Sequence, residues 1–246
     1  MDMHALLDPL LPLWGICEHE GKTILMAAFP YLLPAAYYAG RNVSRYAVVR
    51  DYHAVCGARL EQACERLRAA FSGEDFRCGC DSTPLPEAAL AEKAGLGLRG
   101  RHNLLITRKY GSWVFLGEIV TTAVLPIITP PEKISLHCEA CGACARACPT
   151  GALGGVPFDK ANCLSHITQK KGQLTPEEQA LLRKTGTAWG CDLCQEACPH
   201  NHNAAIKPLP EFLAEPIAHV TKDIPLEGRA YAWRGAAVIQ RNAALF

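Results

Sequence analysis

The stretch from Cys138 to Pro149 reads C-E-A-C-G-A-C-A-R-A-C-P. Its four cysteines, Cys138, Cys141, Cys144 and Cys148, are separated by two, two and three residues. Three thiolates on so tight a loop can bind three corners of one metal cluster, but the loop is too short to reach the fourth. Pro149 lacks an N–H group and turns the chain away from a helix. The stretch therefore predicts a metal cluster that takes a ligand from elsewhere in the chain.

The spacing of these cysteines is the one that bacterial ferredoxins use for [4Fe–4S] clusters, where the fourth cysteine usually serves the other of two clusters. Cys163 stands alone further on, and W-G-C-D-L-C-Q-E-A-C-P, ending at Pro199, repeats the first motif without its leading cysteine. Eight cysteines thus make two sets of four. By the ferredoxin exchange rule, one cluster takes Cys138, Cys141, Cys144 and Cys198, and the other takes Cys148, Cys163, Cys191 and Cys194.

Zinc is the competing interpretation of these cysteines. C-x-x-C pairs are common zinc ligands, and eight thiolates would hold two ions. Zinc, however, has no need of four thiolates packed as closely as C-x-x-C-x-x-C-x-x-x-C-P. The spacing therefore favours two iron–sulfur clusters, which pass single electrons.

The composition predicts a folded protein that binds metal. The chain has 246 residues, of which 49% are apolar and 20% charged, enough for a packed core in one large or two ordinary domains. Its net charge of +1 excludes a globally basic nucleic-acid binder but leaves room for a local basic patch. Thirteen cysteines without a secretion signal indicate metal binding rather than disulfides.

No stretch of the sequence predicts a membrane or secreted protein. The N-terminus does not pair a basic segment with an apolar one, as a signal peptide would. The most apolar run, Thr23–Tyr38, is too short to span a bilayer and contains two prolines. We therefore expect a cytoplasmic protein with no membrane partner.

The residues before the cysteine region alternate predicted strands and helices. The predicted strands are Thr23–Phe29, Phe76–Cys80, His102–Thr107 and Trp113–Thr122, the last two joined by a hairpin-length loop. The predicted helices run from Asp51 to about Phe71 and from Pro86 to Gly95 or Gly97. An electron carrier needs little more than the cluster region, so this long first part should hold whatever accepts the electrons.

Three prolines, at positions 126, 130 and 131, mark a linker between the two regions. We therefore predict an α+β protein built from three parts. An α/β cofactor and substrate domain covers residues 1–130, and a ferredoxin-like domain with two [4Fe–4S] clusters covers residues 131–210. A C-terminal tail with one short helix covers residues 211–246.

Several polar residues in the first part allow more than one interpretation. Arg41, Arg45 and Arg50 fit a solvated face better than contact with an anionic ligand. Asp81 ends a strand opposite a helix start, where a carboxylate is either a cap or a site residue. Asp51 is an expected helix N-cap. The string D-x-H-x-x-G, which supplies the cobalt-binding histidine in one cobalamin class, is absent because the glycine falls one place late, at Gly57.

Five further cysteines lie outside the two cluster sets, and the sequence pattern bears on four of them. Cys56 and Cys64 fall on the apolar side of the predicted helix and are expected in the core. Cys78 and Cys80 form a C-x-C pair that could bind metal. Because no partner pair is left over, the sequence favours a structural role for them.

Several stretches resemble the epoxyqueuosine reductase family, whose members are cobalamin-dependent iron–sulfur enzymes that complete queuosine on transfer RNA. The resemblance covers residues 23–246 in the same order. It rests on R-D-Y-H at Arg50–His53, D-S-T-P-L-P-E at Asp81–Glu87, A-E-K-A-G-L-G at Ala91–Gly97, G-S-W-V-F-L-G-E-I at Gly111–Ile119, the cysteine region, and W-R-G-A-A-V-I-Q-R-N-A at Trp233–Ala243. Together these motifs are specific, although any one alone would not be.

The resemblance implies base-off cobalamin between the first domain and the clusters, with no protein histidine on cobalt. Electrons from the clusters would reduce the cobalt, which would act on the epoxide of the modified base in the tRNA anticodon loop. The family's proton donor falls on Asp81, and such an acid must neutralise the oxygen charge that ring opening leaves. Tyr52, His53 and Ser112 match family positions near the corrin or the substrate. An external electron donor and a monomeric state complete the expectation.

The sequence also departs from the family pattern. A basic residue that often follows the Glu of D-[ST]-x-P-x-x-E is replaced by Ala88, and Leu98 and Arg101 replace family Trp and Lys. The chain ends at Phe246, where longer members continue into HEAT-like repeats that help to hold tRNA. Two alternatives therefore stay open: a corrinoid-dependent reductase of a small molecule, and an electron-transfer protein without a substrate of its own.

Overall fold

The computed structural model describes residues 2–130, 138, 141–155 and 157–246. Its strands are β1 (Trp14–His19), β2 (Lys22–Pro30), β3 (Phe76–Gly79), β4 (Leu98–Arg99), β5 (Leu105–Ile106) and β6 (Val114–Thr121). Its helices are α1 (Met3–Leu7), α2 (Arg45–Val48), α3 (Tyr52–Ala70), α4 (Glu87–Lys93), α5 (Ala143–Ala147), α6 (Leu164–Thr168), α7 (Pro176–Thr185), α8 (Leu193–Glu196) and α9 (Ala236–Ala243). Short 3-10 turns cover Ala35–Tyr38, Pro199–Asn201, Pro210–Leu213 and Ala232–Arg234.

A four-stranded sheet in the order β1-β2-β6-β3 organises the N-terminal half. All three of its pairings are antiparallel. The predicted α+β class is confirmed, and so are the strands expected at β2, β3 and β6 and the helices expected at α3 and α4. Strand β1 was missing from the prediction, and it is the partner that places β2 inside the sheet.

The sheet is covered on both faces because β2 is apolar and buried from Ile24 to Pro30. Leu25, Ala27 and Phe29 join the cluster of buried residues that includes the apolar side of α3. The alternate residues Ile24, Met26 and Ala28 pack with α4 on the other face. This alternation follows from the two-residue side-chain period of a strand. The alternation therefore places α3 and α4 on opposite faces of the sheet, at the edge that provides residues of the site.

The predicted strand His102–Thr107 and its hairpin with Trp113–Thr122 are wrong. Only Leu105–Ile106 is extended, and it pairs with β4 rather than with β6. The chain between β5 and β6 folds back locally, because the Thr107 N–H and hydroxyl both donate to the Gly111 carbonyl, at 2.8 and 3.1 Å. The loop is therefore closed by its own hydrogen bonds, and it joins two strands that do not pair with each other.

The C-terminal half shares the core of the sheet. Trp189, Phe212 and Tyr231 are fully buried and belong to the same cluster as the α3 face. The predicted boundary at residues 130–131 falls at Pro131, which lies outside the described residues, so the three-part division stays a prediction. Within the described part of the chain, no helix is long and apolar enough to cross a bilayer.

Candidate active site and cluster ligands

A cavity of about 1040 Å³ is lined by residues from both halves of the chain. Its wall contains the candidate residues Tyr52, His53, Asp81, Ser112, Cys148, Cys163, Cys191 and Cys194. The volume is at or above the upper end of the roughly 300–1,000 Å³ found for pockets that bind small ligands. The cavity can therefore hold a large cofactor and still leave space for part of a substrate.

Asp81 lies two residues after the end of β3 and lines this cavity with 67% of its side chain exposed. Its backbone has a φ of 51°, a left-handed conformation that is uncommon outside glycine. Its backbone N–H donates to Glu87 Oε1 at 2.7 Å, which holds the turn in this shape. Strained residues of this kind cluster at functional sites, and here the strain directs the carboxylate towards open space.

Tyr52 and His53, at the start of α3, lie beside the Asp81 carboxylate. The Tyr52 hydroxyl donates to Asp81 Oδ2 at 2.6 Å, and His53 Nε2 is 4.0 Å from the same oxygen. The Tyr52 ring stacks on Phe115 with centroids 4.2 Å apart and an interplanar angle of 6°. The predicted N-cap at Asp51 is confirmed, since its carboxylate accepts the His53 N–H at 3.0 Å.

The surroundings of Tyr52 and His53 favour the protonated forms of both side chains. Burial raises the pKa of Tyr52 well above its usual range, and the Asp81 carboxylate raises it further, so the phenol stays protonated. The hydrogen bond to Asp51, at 2.7 Å from Nδ1, raises the pKa of His53. Tyr52 therefore presents a hydrogen-bond donor to the Asp81 carboxylate, and the Asp51 contact makes His53 hold its proton more strongly.

Two glutamates behind Asp81 were not singled out by the sequence analysis. Burial raises the pKa of Glu87 to about 8, and a hydrogen bond with Glu118 adds to the shift. Glu118 is fully buried on β6 and accepts the Thr83 hydroxyl at 2.5 Å. Both glutamates lie in motifs quoted above, but nothing in their spacing indicates that they meet. Glu87 thus adds a protonated carboxyl group directly beneath the Asp81 turn.

The eight cluster cysteines divide between two cavities in the sets that the sequence predicts. A small cavity of about 40 Å³ is lined by Cys138, Cys141, Cys144 and Cys198. The other set opens onto the large cavity as Cys148, Cys163, Cys191 and Cys194. Four thiols around one space are the donor set that a [4Fe–4S] cluster requires, so the residues present fit two such clusters. The assignment of each ligand stays a prediction.

The two sets differ in their surroundings. The first is walled in part by Arg101 and His102, and the Arg101 N–H donates to Cys138 Sγ at 3.2 Å. The second shares its cavity with Asp81. A cluster held by the second set would therefore be the one in contact with a cavity-bound cofactor, and the first would supply it with electrons.

Ser112 is a buried link between the two halves of the chain. Its N–H donates to Asn201 Oδ1 at 2.7 Å, and its hydroxyl accepts Asn201 Nδ2 at 2.8 Å and Gln195 Nε2 at 3.1 Å. These partners flank Cys194 and Cys198. Ser112 lines the large cavity, but its contacts fix the loop against the cluster segment.

The arginines at the start of the chain bind the cluster segment. Arg41 donates to Asp192 Oδ2 at 3.0 Å, and the Arg45 side chain donates to Glu196 Oε1 at 2.5 Å. Arg50 is exposed as predicted, whereas the prediction of a solvated face is wrong for the other two. The reason is that α8 presents its acidic side chains to this loop. These ion pairs hold the ligand-bearing helix against the N-terminal half.

The fold and the two cysteine sets are those of the class of double-cluster iron–sulfur proteins. Residues 137–201 match the family model described as "4Fe-4S double cluster binding domain". Residues 17–82 match "Epoxyqueuosine reductase QueG, DUF1730". The chain belongs to the epoxyqueuosine reductase family.

Relatives and solved structures agree with this assignment. The chain is 37% identical over 204 residues to the epoxyqueuosine reductase of Aliivibrio fischeri, which covers 79% of this chain and 54% of that one. It is 33% identical over 244 residues to that of Listeria monocytogenes, covering 92% and 63%. A crystal structure of epoxyqueuosine reductase with an epoxyqueuosine-modified tRNA-Tyr stem loop superposes with a TM-score of 0.76 at 28% identity, covering 91% of this chain and 63% of that one. The chain thus spans about half to two thirds of the length of these relatives.

Proposed function

We propose that this protein reduces epoxyqueuosine to queuosine in the anticodon loop of tRNA. The observation that carries the proposal is that one cavity contains both the Asp81–Tyr52 pair and the second set of cluster cysteines. Converting an epoxide to an alkene takes two electrons and two protons and releases water. In this proposal the second cysteine set brings the source of electrons to the cavity, and the Asp81–Tyr52 pair brings the source of protons.

We infer that cobalamin occupies the large cavity, because the residues present fit it. The volume of about 1040 Å³ suits a macrocycle, and the wall offers flat aromatic surfaces from Tyr46, Phe115 and Trp233. When bound, cobalamin supplies a strongly nucleophilic low-valent cobalt that electrons from the clusters can regenerate. Tyr52, His53 and Ser112 are the residues that we assign to contact with it, and no protein histidine is assigned to the cobalt.

In this proposal Asp81 delivers the proton that the opening epoxide oxygen needs. A positioned general acid typically contributes about 10²–10⁴-fold to such a step. Tyr52 orients the Asp81 carboxyl group through the 2.6 Å hydrogen bond, and stacking on Phe115 limits the rotation of its ring. His53, held by Asp51, provides a second proton-bearing group within 4.0 Å.

An exposed aromatic residue at the cavity supports RNA as the substrate. Trp233 is 61% exposed, lines the cavity, and lies under the Arg234 guanidinium, whose carbon is 3.8 Å from the ring centroid. Single-stranded bases stack on such aromatic side chains, and a neighbouring arginine suits a phosphate. We assign these two residues to a nucleotide next to the modified one. An external electron donor, a monomeric state and a cytoplasmic location complete the proposal.

A corrinoid-dependent reductase of a small molecule is the second candidate. The observation that favours it is Ala88, which lines the cavity where the family often has a basic residue. An electron-transfer protein without a substrate would have no use for the Asp81 turn. The two alternatives predict no queuosine from modified tRNA.

The test is reconstitution with iron, sulfide and cobalamin, followed by nucleoside mass spectrometry of epoxyqueuosine-bearing tRNA treated with a low-potential reductant. Wild-type protein should form queuosine, and Asp81→Asn should slow the reaction about 10²–10⁴-fold. Asp75→Asn is the matched control, since Asp75 is an exposed carboxylate just before β3 and should leave the rate unchanged. Turnover by Asp81→Asn at the wild-type rate would remove Asp81 as the acid. Unchanged tRNA with fully loaded wild-type protein would refute the proposed function.

A further inference from the structure

We propose that Glu61, Cys64 and Cys78 form a binding site for one zinc-like divalent cation between α3 and β3. Their ligand atoms all lie within 4.8 Å of one another. None of the three belongs to the described lining of either cavity, so this site is separate from both cluster sets. The sequence leaves no partner pair for the C-x-C motif of Cys78 and Cys80, whereas the fold brings the single Cys64 of α3 close to Cys78.

The distances suit a four-coordinate ion. Cys78 Sγ lies 3.4 Å from Glu61 Oε2. In a tetrahedral zinc site with Zn–S near 2.3 Å and Zn–O near 2.1 Å, neighbouring donor atoms are about 3.6–3.8 Å apart. The observed spacing therefore needs only small adjustments to accept the ion. Glu61 is exposed, which leaves the fourth position to water.

The donor atoms are held by rigid elements. Glu61 and Cys64 are three residues apart on α3 and so share one face of the helix. Cys78 is fixed on β3 by the pairing with Ile119 on β6. Sites built on helices and strands hold their geometry better than sites on loops.

Arg68 orients the carboxylate in the way that outer partners orient metal ligands. It donates to Glu61 Oε1 at 2.7 Å and to the Phe76 carbonyl at 2.6 Å. One oxygen of Glu61 is thereby occupied, and the other is left facing the sulfur of Cys78. Such partners fix the direction of a ligand and raise its affinity for metal.

The charge and chemistry of the group favour zinc over magnesium or calcium. Cys64 is fully buried and Cys78 is partly exposed, so an ion can enter from the Cys78 side. Two thiolates, one carboxylate and Arg68 leave a double negative charge that a divalent ion neutralises. Thiolate ligands select zinc rather than the hard cations.

The bound ion would link α3 and β3, the two elements that position residues of the proposed active site. Tyr52 and His53 begin α3, and β3 leads directly into Asp81. An ion that joins α3 to β3 would keep these residues in register. The inference does not depend on the identity of the substrate.

The test is zinc uptake by the full chain with both clusters loaded. Protein of constant iron content is titrated with zinc chloride against a competing chelator, and bound zinc is measured by mass spectrometry. Wild-type protein should bind about one zinc per chain in a mixed sulfur and oxygen environment, read from the zinc X-ray absorption edge. Cys78→Ser should weaken binding by more than the roughly 10–100-fold that loss of an outer partner costs.

Two further variants keep the result interpretable. Cys17→Ser is the matched control, since Cys17 is a buried cysteine on β1 that donates to the Leu90 carbonyl at 3.7 Å. It should bind zinc like the wild type. Glu61→Gln changes an exposed residue, so it should not disturb the core of the protein. This variant should also lose affinity for zinc. Three results would each overturn the proposal. They are equal zinc uptake by wild type and Cys78→Ser, a zinc environment made only of sulfur, and a Cys64–Cys78 disulfide in the purified protein.

Discussion

Replacing Gly111 with alanine should loosen the contact between the Ser112 loop and the cluster segment. Gly111 has a φ of 56°, and a Cβ atom there would lie 2.1 Å from Asn201 Oδ1. That oxygen accepts the Ser112 N–H at 2.7 Å, and the Asn201 amide nitrogen donates to the Gln195 carbonyl at 2.7 Å. The added methyl group must therefore displace a carboxamide that satisfies several buried groups.

Gly228→Ala separates this displacement from backbone strain. Gly228 has a φ of 68°, and a Cβ atom there would meet nothing within 4 Å. Both substitutions carry a left-handed strain of about 1–2 kcal/mol. Only Gly111→Ala also breaks two or three buried hydrogen bonds, which are worth about 1 kcal/mol each and cost more when a donor is left unpaired. We expect Gly111→Ala to be about 2–4 kcal/mol less stable than Gly228→Ala.

The assay is thermal unfolding of cluster-loaded protein, followed by the visible absorbance of the clusters. Because cluster loss makes the transition irreversible, apparent midpoints are compared at one heating rate. For a domain of this size, 1 kcal/mol corresponds to about 2–4 °C, so the midpoint of Gly111→Ala should lie roughly 4–16 °C below that of Gly228→Ala. Equal midpoints would refute the reasoning, because strain alone would then explain the need for glycine.

Two other substitutions test the site chemistry. The folded protein keeps the Glu87 proton up to about pH 8 while the unfolded chain loses it near pH 4.5, so the stabilisation is complete below pH 4.5 and lost as the pH rises through 8. In chemical denaturation, the free energy of unfolding of Glu87→Gln should rise relative to that of the wild type between pH 5.5 and about 8.5. The exposed control Glu65→Gln should show no such rise. If the free energies of Glu87→Gln and wild type change in parallel with pH, the assignment is contradicted. Trp233→Ala should weaken binding of a tRNA stem loop by about 5–150-fold, the equivalent of one stacked base, whereas Ile206→Ala, at an exposed apolar residue, should not. Unchanged affinity after Trp233→Ala would remove the stacking role.

The cysteine sets and the central strands were predictable because local spacing decides them. A cluster needs its thiolates at fixed intervals, so the two sets followed from counting residues. The strand at Thr23–Phe29 was predictable because a continuous apolar run can be satisfied only by burial on both faces. The motif at Asp81 predicts the acid by resemblance, and in the structure the Tyr52 hydroxyl donates to the Asp81 carboxylate.

The remaining features depend on which distant segments meet, and local patterns do not encode that. The pairing of Arg41 with Asp192 joins positions 151 residues apart. The Glu87–Glu118 contact and the Cys64–Cys78 contact each join a helix to a strand. The false hairpin at His102–Thr107 arose because an apolar stretch fits a strand until the Thr107 turn and the β4 pairing are known.

The nesting of the two cysteine sets has a consequence for biosynthesis. Under the predicted assignment, the second cluster joins Cys148 to Cys194, and the first joins Cys138 to Cys198 around it. The outer ligand loop cannot close until translation has passed Cys198, the last of its ligands in the chain. The Pro199–Asn201 turn follows immediately, and through Asn201 it reaches back to the Ser112 loop. Under this assignment the ligands of the outer cluster are completed last, and a filled inner cluster would shorten the loop that the outer one closes.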